Sequence, residues 1–465
     1  MKTSKKSVKL ISLATFALLS SNAIFASGVE NKTNMSTGYL RNPSRNSEAK
    51  RPEASYYNVA GTAFMEEGLF LEAGNQFVFK EYGNELNTGD KFASNGLSDY
   101  YSNDETTVLL YPDFDLVYKL SRLSIFGNFG VYAGGGSLTY SEGTSATSLL
   151  FANSASQYMA KSKAAYEESA SATSQTTKIA KQAEAEQYST AASYLMKIAQ
   201  QGGHSLNVTS ITYGGQLGVS YLFLDNLSFA AGLRYVHGKQ LMSITSGYFN
   251  ELGNGSDEIS YKANGWTVSG VFGIHYKPIE CVDLAVQYQS KSSVKYKVKE
   301  VEGNLASAYG IYDGKTFHTD LPAALNLGAG WQATEPLYLS ASFNYYFNYF
   351  ADQNSILGET DYDNSWEIAV GADYKACKWF SASLGLQYGN QGTNDTSNST
   401  FNPVLDSFCV GTGIEFYPVE NLTVTVAGLF AKYFDTDYYL SGNKTTLSKD
   451  VTNLSIGATY HFPSK

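Results

Sequence analysis

Five histidines (His204, His237, His275, His318, His461) and three cysteines (Cys281, Cys377, Cys409) are the chain's candidates for activated nucleophiles and soft metal ligands. Their spacing serves neither role. A hydrolase built on strands needs a Ser or Asp beside a His at matching depth, and these histidines are scattered without such neighbours. The cysteines are odd in number and lack metal-ligand spacing, which fits unpaired thiols or one incidental disulfide. The sequence therefore predicts no catalytic residue, no metal site and no cofactor. The charged side chains are better placed. Arg41, Arg45, Lys50 and Arg51 crowd into Met35–Phe64 together with Pro43 and Pro52. Downstream, Glu72, Asp113, Asp115, Arg234, Glu367, Asp373 and Glu415 fall in one phase of alternating segments. The chemistry this offers is ion pairing across a water-poor interior.

The elements that must position these charges follow from composition. Aromatics make up 14% of the 465 residues and charged residues only 16%, against roughly 25% in soluble chains. After residue 26 no stretch offers the ~20 apolar residues of a spanning helix, so a membrane location requires a closed barrel. A net charge of -10 points away from nucleic acid. Residues 1–26 read as a signal peptide: Lys2, Lys5, Lys6 and Lys9 precede the apolar run Leu10–Leu19, with cleavage after Ala26 or Ala23. Residues 27–66 carry prolines, basic residues and no apolar alternation, which excludes a central strand and predicts a plug inside the barrel.

From Gly68 onward apolar residues alternate with period two. Leu337, Leu339, Ala341, Phe343, Tyr345, Phe347 and Tyr349 share one face, and Ser340, Ser342, Asn344, Tyr346 and Asn348 the other. One face suits lipid and the other a wet or filled lumen. The pattern predicts about fourteen antiparallel strands within 67–462: 68–82, 107–120, 123–137, 208–223, 227–245, 259–276, 282–299, 321–332, 337–350, 362–375, 380–389, 406–417, 422–434 and 451–462. Short and long connections alternate strictly, which places both termini on the periplasmic side. The loop 146–202 is rich in Ala, Ser, Gln and Lys and predicts two helices, with Tyr188, Ala191, Ala192, Leu195 and Ala199 on one face. These either cap the barrel mouth or decorate the surface.

The segment before the first strand resembles that of the FadL/TodX family of outer-membrane long-chain fatty acid transporters. The family's S-R-N-A-S-like run corresponds to Ser44, Arg45, Asn46 and Ser47, and its Y-Y-N-P-A-G to Tyr56, Tyr57, Asn58, Val59, Ala60 and Gly61, with Val59 in place of proline. GLFLEAGNQFVF (68–79), VDLAVQYQSKSSVKY (282–296) and LPAALNLGAGW (321–331) are similar to family strands. The C-terminal end departs from the family's aromatic last residue, since Phe462 is followed by Pro463, Ser464 and Lys465.

The resemblance implies uptake of long-chain fatty acids or other hydrophobic ligands by loop capture, plug rearrangement and lateral exit at the third strand. The partners it implies are that ligand, outer-membrane lipids and the barrel-assembly machinery. It assigns capture to Tyr248, Phe249 and Leu252 in loop 246–258, and to Leu305, Tyr309, Ile311, Tyr312 and Phe317 in loop 300–320. The plug residues are Arg45, Asn46, Tyr56, Tyr57, Asn58 and Gly61. The third strand reads LSIFGNFGVYAGGGS, and its glycines predict weak pairing with one neighbour, with Gly127 and Gly130 as lateral-gate residues. The competing expectations are a general porin, which the plug-like stretch opposes, and a structural surface protein or adhesin, which the helical loop alone favours.

Overall fold

The computed structural model describes residues 34–87, 96–97, 99–104, 107–246, 258–303, 306, 310–356, 362–393, 397–440 and 443–464. The expected signal peptide and its cleavage site lie outside them.

Fourteen antiparallel strands form the wall. They are β1 (Gly68–Asn87), β2 (Thr107–Leu120), β3 (Leu123–Tyr140), β4 (Ser205–Leu224), β5 (Leu227–Thr245), β6 (Glu258–Ile279) and β7 (Val282–Gln289). The second half comprises β8 (Ala324–Thr334), β9 (Leu337–Tyr346), β10 (Ser365–Cys377), β11 (Phe380–Asn390), β12 (Ser407–Val419), β13 (Leu422–Tyr433) and β14 (Asn443–Pro463). Each pairs with its neighbours in sequence, and β14 returns to β1 in a ladder running from Gly68–Pro463 to Asn87–Lys444. The ring is thereby closed, as lipid requires of a sheet. Short strands at Tyr100–Ser102, Lys295–Glu302, Thr316–His318 and Thr436–Leu440 extend the wall at the loop end.

The phase of the alternation decides which face meets lipid. Leu217 and Leu233 are each 65% exposed on the outside, with Val268, Ile368, Val370, Leu384 and Ile456 around them. Gln216, Arg234, Ser269, Glu367, Ser383 and Ser455 are buried inside. An apolar exterior around a polar interior reverses the usual order and is stable only where hydrocarbon is the solvent. Two-residue turns at 121–122, 225–226, 280–281, 335–336, 378–379 and 420–421 close one end.

Only β2 and β5 keep their expected bounds residue for residue, and three of the departures have a visible cause. The segment 282–299 breaks after Gln289, because the buried Asp320 carboxylate accepts hydrogen bonds from Ser293 Oγ and Val294 N and pulls the chain off the β8 ladder. β9 stops at Tyr346 rather than residue 350, where Asn348 turns inward to donate to Ser365 Oγ at 2.9 Å. β14 begins at Asn443, eight residues before its expected start at 451, since Thr436–Leu440 gives its tip a partner.

Inside the ring, residues 34–64 form α1 (Thr37–Arg41), α2 (Ala54–Tyr57) and a 3-10 turn (Gly61–Phe64), nearly all buried. Between β3 and β4 rises a hairpin of α3 (Ser145–Ser171) and α4 (Gln175–Ala199). Thr144 and Thr147 form a reciprocal cap at the start of α3. Ser162 Oγ donates across the hairpin to Ala185 O at 2.8 Å, beside the small face of Ala191, Ala192, Leu195 and Ala199.

Candidate functional site: a plugged lumen with a window in its wall

The plug is held by charge. Ser36 caps α1 by accepting from Tyr39 N, and this aims Arg41 at the wall. There Arg41 meets Asp373 of β10 at 2.7 Å and Glu415 of β12 at 3.3 Å. Arg45 reaches the same Asp373 oxygen at 3.3 Å and Glu48 at 2.9 Å, and donates through Nε to Gly38 O and Asn42 O. Arg51 reaches Glu415 at 2.8 Å. Burial opposes the Arg45 charge, but Asp373, Glu53 and Glu48 outweigh it and raise its pKa above the ordinary arginine range. Burial likewise lifts the Glu53 carboxyl above the usual range, against the pull of Arg45. Such a network is tolerable only because each charge has a partner.

Around these charges the plug residues read from sequence each meet the wall or their own fold. Asn46 donates to Leu327 O and Asn344 Oδ1, and Asn58 donates to Glu48 O and meets His275 Nδ1 at 2.8 Å. Tyr57 stacks on Tyr39 with centroids 5.6 Å apart, and Tyr56 sits edge-on to both Tyr57 and Tyr132 of β3. The Arg234 guanidinium covers Tyr132 at 5.0 Å. A side chain at Gly61 would strike Glu48 O at 2.4 Å. Val59 N donates to Gln287 Oε1 at 2.9 Å, a bond that proline at this position could not make.

The wall is not uniformly paired. The β2–β3 ladder runs from Leu120–Leu123 only as far as Phe114–Phe129, although both strands continue. Thr107–Asp113 stay paired to β1 alone and Gly130–Tyr140 to β4 alone. Among the described residues, the segment leading into β2 meets β3 again where Asp104 N donates to Thr139 O, so the gap is a window closed above and below. Two register shifts, at Val131/Ala133 and Gly134/Gly136, bend β3 away. Gly134 (φ 78) and Gly136 (φ 89) occupy the left-handed region that such bulges require.

Side chains stand in for the missing ladder. Lys80 Nζ donates to Gly135 O and Ser137 O, and Tyr111 OH to Val131 O. Val78, Tyr111 and Val131 pack together behind the window, while Leu109 and Leu110 lie exposed on its outer rim. On the lumen side a cavity of about 60 Å³, room for a few waters, is lined by Lys80, Tyr82, Leu138, Tyr296 and Phe401.

The model of the outer membrane protein transport protein family (OMPP1/FadL/TodX) matches residues 167–462. The chain belongs to the FadL/TodX family. A FadL homologue of Pseudomonas aeruginosa has a similar structure at 15% identity and TM-score 0.61, over 95% of this chain and 100% of that one. The toluene transporter TodX of Pseudomonas putida is similar at 13% identity and TM-score 0.59, over 94% and 100%. The Ralstonia pickettii toluene transporter TbuX follows at 13% and 0.55, over 90% and 98%. No curated protein matches the chain in sequence.

In this FadL/TodX member the two sequence-read gate glycines part company. Gly127 lies in the paired half, opposite Leu116 and Leu217, where an added Cβ makes only ordinary contacts at 3.6 Å. Gly130 sits at the foot of the window facing the plug, with Met35 Cε 2.8 Å from its Cβ position. The window itself belongs to Gly134, Gly135 and Gly136, and the triple-glycine run was the signal for it.

Of the residues expected to capture ligand, Tyr248, Phe249, Leu252, Leu305 and Tyr309 lie outside the described residues. Tyr312 is exposed, whereas Ile311 is buried and Phe317 is stacked on Tyr296 at 5.4 Å inside the mouth. The root of α3 shares that mouth: Leu149, Leu150 and Phe151 are buried there with Tyr140 and Phe401, so the hairpin caps the mouth at its root and decorates the surface at its tip. His204 pins the root, with Nε2 2.7 Å from Thr147 Oγ1 and Nδ1 2.6 Å from Ile198 O. Burial pushes its pKa down to about 4. Sequence reading missed Lys80, Tyr82, Tyr132 and Tyr296, although Lys80 and Tyr82 follow Gln76 and Val78 in the inward phase.

Proposed function

We propose that the protein takes hydrophobic molecules from the aromatic cluster at its loop end and releases them sideways into the bilayer through the window between β2 and β3. The observation that carries this reading is the interrupted β2–β3 ladder, an opening in the wall with an apolar rim facing lipid. A plug tied to the lumen by buried ion pairs blocks the axial route, so a lateral path avoids the polar interior altogether.

The favoured substrate class is a long-chain fatty acid or similar amphipathic acid, because Lys80 sets one cation among Tyr82, Leu138, Tyr296 and Phe401. A cavity this small with aromatic walls also suits a single ring, and small aromatic hydrocarbons of the kind named for the toluene transporters are the second reading. Passage of either requires the cavity to widen.

The test fills the window without disturbing the fold. A Cβ added at Gly135 meets nothing within 4 Å, so there is open space for a larger side chain, and Gly135→Leu should fold normally and cut uptake of labelled oleate or toluene several-fold. Gly127→Leu, projecting to lipid from the paired half, should leave uptake unchanged. Normal uptake by Gly135→Leu would rule out exit at this place.

A further inference from the structure

Three carboxylates converge at the foot of the window. Asp113 and Asp115 are two apart on β2 and share the lumen face, and Glu72 is the cross-strand partner of Asp115 on β1. One oxygen from each lies within 4.8 Å of the others, and all three residues are at least nine-tenths buried. Four other buried acids are matched to cations: Asp373, Glu415, Glu48 and Glu53 share Arg41, Arg45 and Arg51. Among the described residues no lysine or arginine forms an ion pair with the trio.

Their hydrogen bonding is also incomplete. Asp115 Oδ1 accepts from Ser55 Oγ and Asn128 Nδ2, and Glu72 Oε2 from Thr459 Oγ1. Both oxygens of Asp113 and Oδ2 of Asp115 have no hydrogen-bond partner. The nearby Gln76 amide donates to Asn34 O at 2.8 Å and keeps its second hydrogen on the side of Asp113. A fourth oxygen comes from the plug: Thr37 Oγ1, 1% exposed as a residue, is also unpartnered. The point where a Cβ on Gly74 would stand is 2.6 Å from Asp113 Oδ2 and 2.8 Å from Thr37 Oγ1, so the lack of a side chain leaves the space between them open.

We propose that Glu72, Asp113 and Asp115 hold a divalent cation, with Thr37 completing the site from the plug. Mutually close carboxylates in a poorly hydrated interior repel strongly, and a bound cation removes that repulsion while using the orphaned oxygens. An all-oxygen, anionic ligand set selects a hard ion. A point lies within roughly 2.8 Å of three atoms so spaced, close to the ~2.3–2.6 Å of calcium and farther from the ~2.0–2.1 Å of magnesium. Calcium is the expected occupant. It joins β1, β2 and the start of α1, and so clamps the plug to the wall beneath the window. The site stands independently of what the barrel carries.

The experiment uses full-length protein refolded in detergent, free of lipopolysaccharide, which itself binds divalent ions. After equilibration with calcium and desalting, elemental analysis should find about one calcium per chain. EDTA should lower the melting temperature, and calcium should restore it. Asp113→Asn should weaken calcium binding by ~10-fold or more and abolish the EDTA response, and Thr37→Val should weaken binding while the barrel's circular dichroism is kept. If Asp113→Asn fails to fold, the metal content and EDTA response of the native chain decide alone. No calcium above background with melting unmoved by EDTA, or undiminished binding in a folded Asp113→Asn, would overturn the site.

Discussion

Arg41 and Asp373 meet at 2.7 Å inside the barrel although 332 positions separate them in sequence. The contact joins the first helix of the plug to the tenth strand of the wall, and Arg45 shares the same carboxylate oxygen at 3.3 Å. Asp373→Asn leaves two buried guanidiniums short of an anion. The expected loss is ~3 kcal/mol, at the low end for breaking a buried pair because the Asp373 side chain keeps 20% exposure. Denaturant unfolding should show the loss, and planar-bilayer recordings should show brief openings. Deleting residues 28–62 should instead give a steady conducting pore; conductance as low as that of the native chain would mean the plug blocks nothing.

Lys80 distinguishes the two substrate classes. Lys80→Met keeps the bulk of the stem but removes the charge-assisted bonds that an acid headgroup would use. Fatty acid affinity should fall ~10-fold or more while toluene uptake holds. Equal loss of both would make Lys80 a strut of the window rather than a ligand contact.

The hairpin root should loosen in acid. His204 is neutral when packed, with a pKa of about 4 against an ordinary value of 6.5, so the loosened state binds the extra proton between those limits. Its contribution is full above about pH 6.5 and is lost as the pH falls toward about 4, a difference of ~3 kcal/mol. Protection factors for hydrogen–deuterium exchange across residues 145–155, taken against the intrinsic exchange rate at each pH, should therefore fall as the pH is lowered through that window. His204→Gln should remove the dependence, and a flat profile in the native chain would contradict it.

Orientation can be read by thiol labelling. Ser169, a natural choice from sequence, is buried against Lys178 O, so the probe belongs at the exposed Thr173 on the hairpin tip. A cysteine there should react in intact cells, and one at Asn226 should not. The native Cys281 and Cys377, at the short-turn end, should react only after permeabilisation. The reverse pattern would invert the barrel.

The wall was legible because lipid imposes a period of two on every strand. The bounds of β2 and β5 matched residue for residue, and Gly68 marked the start of β1. The break after Gln289 was not legible, because its cause is a carboxylate at Asp320, thirty-one residues away and visible only once folded. The plug's chemistry could be read from Arg45, Asn46 and the Tyr56–Tyr57 pair, but which acids they met could not. The window was half legible: the glycine run announced a weak strand, yet Gly127 sits below the opening, since alternation alone does not reveal where a ladder stops. Lys80, the side chain that replaces the ladder, reads in sequence as one more inward charge.

The partial β2–β3 ladder also changes the mechanics of the tube. A cylinder joined all round resists torsion, whereas one slit along part of its length twists easily about the joined end. Here the short-turn end is the stiff collar, and the half above Phe114–Phe129 is the compliant one. Lateral pressure in the leaflet around that half acts on it directly, so the thickness and tension of the surrounding membrane become a load on the slit, borne at its lips by Lys80 and Tyr111.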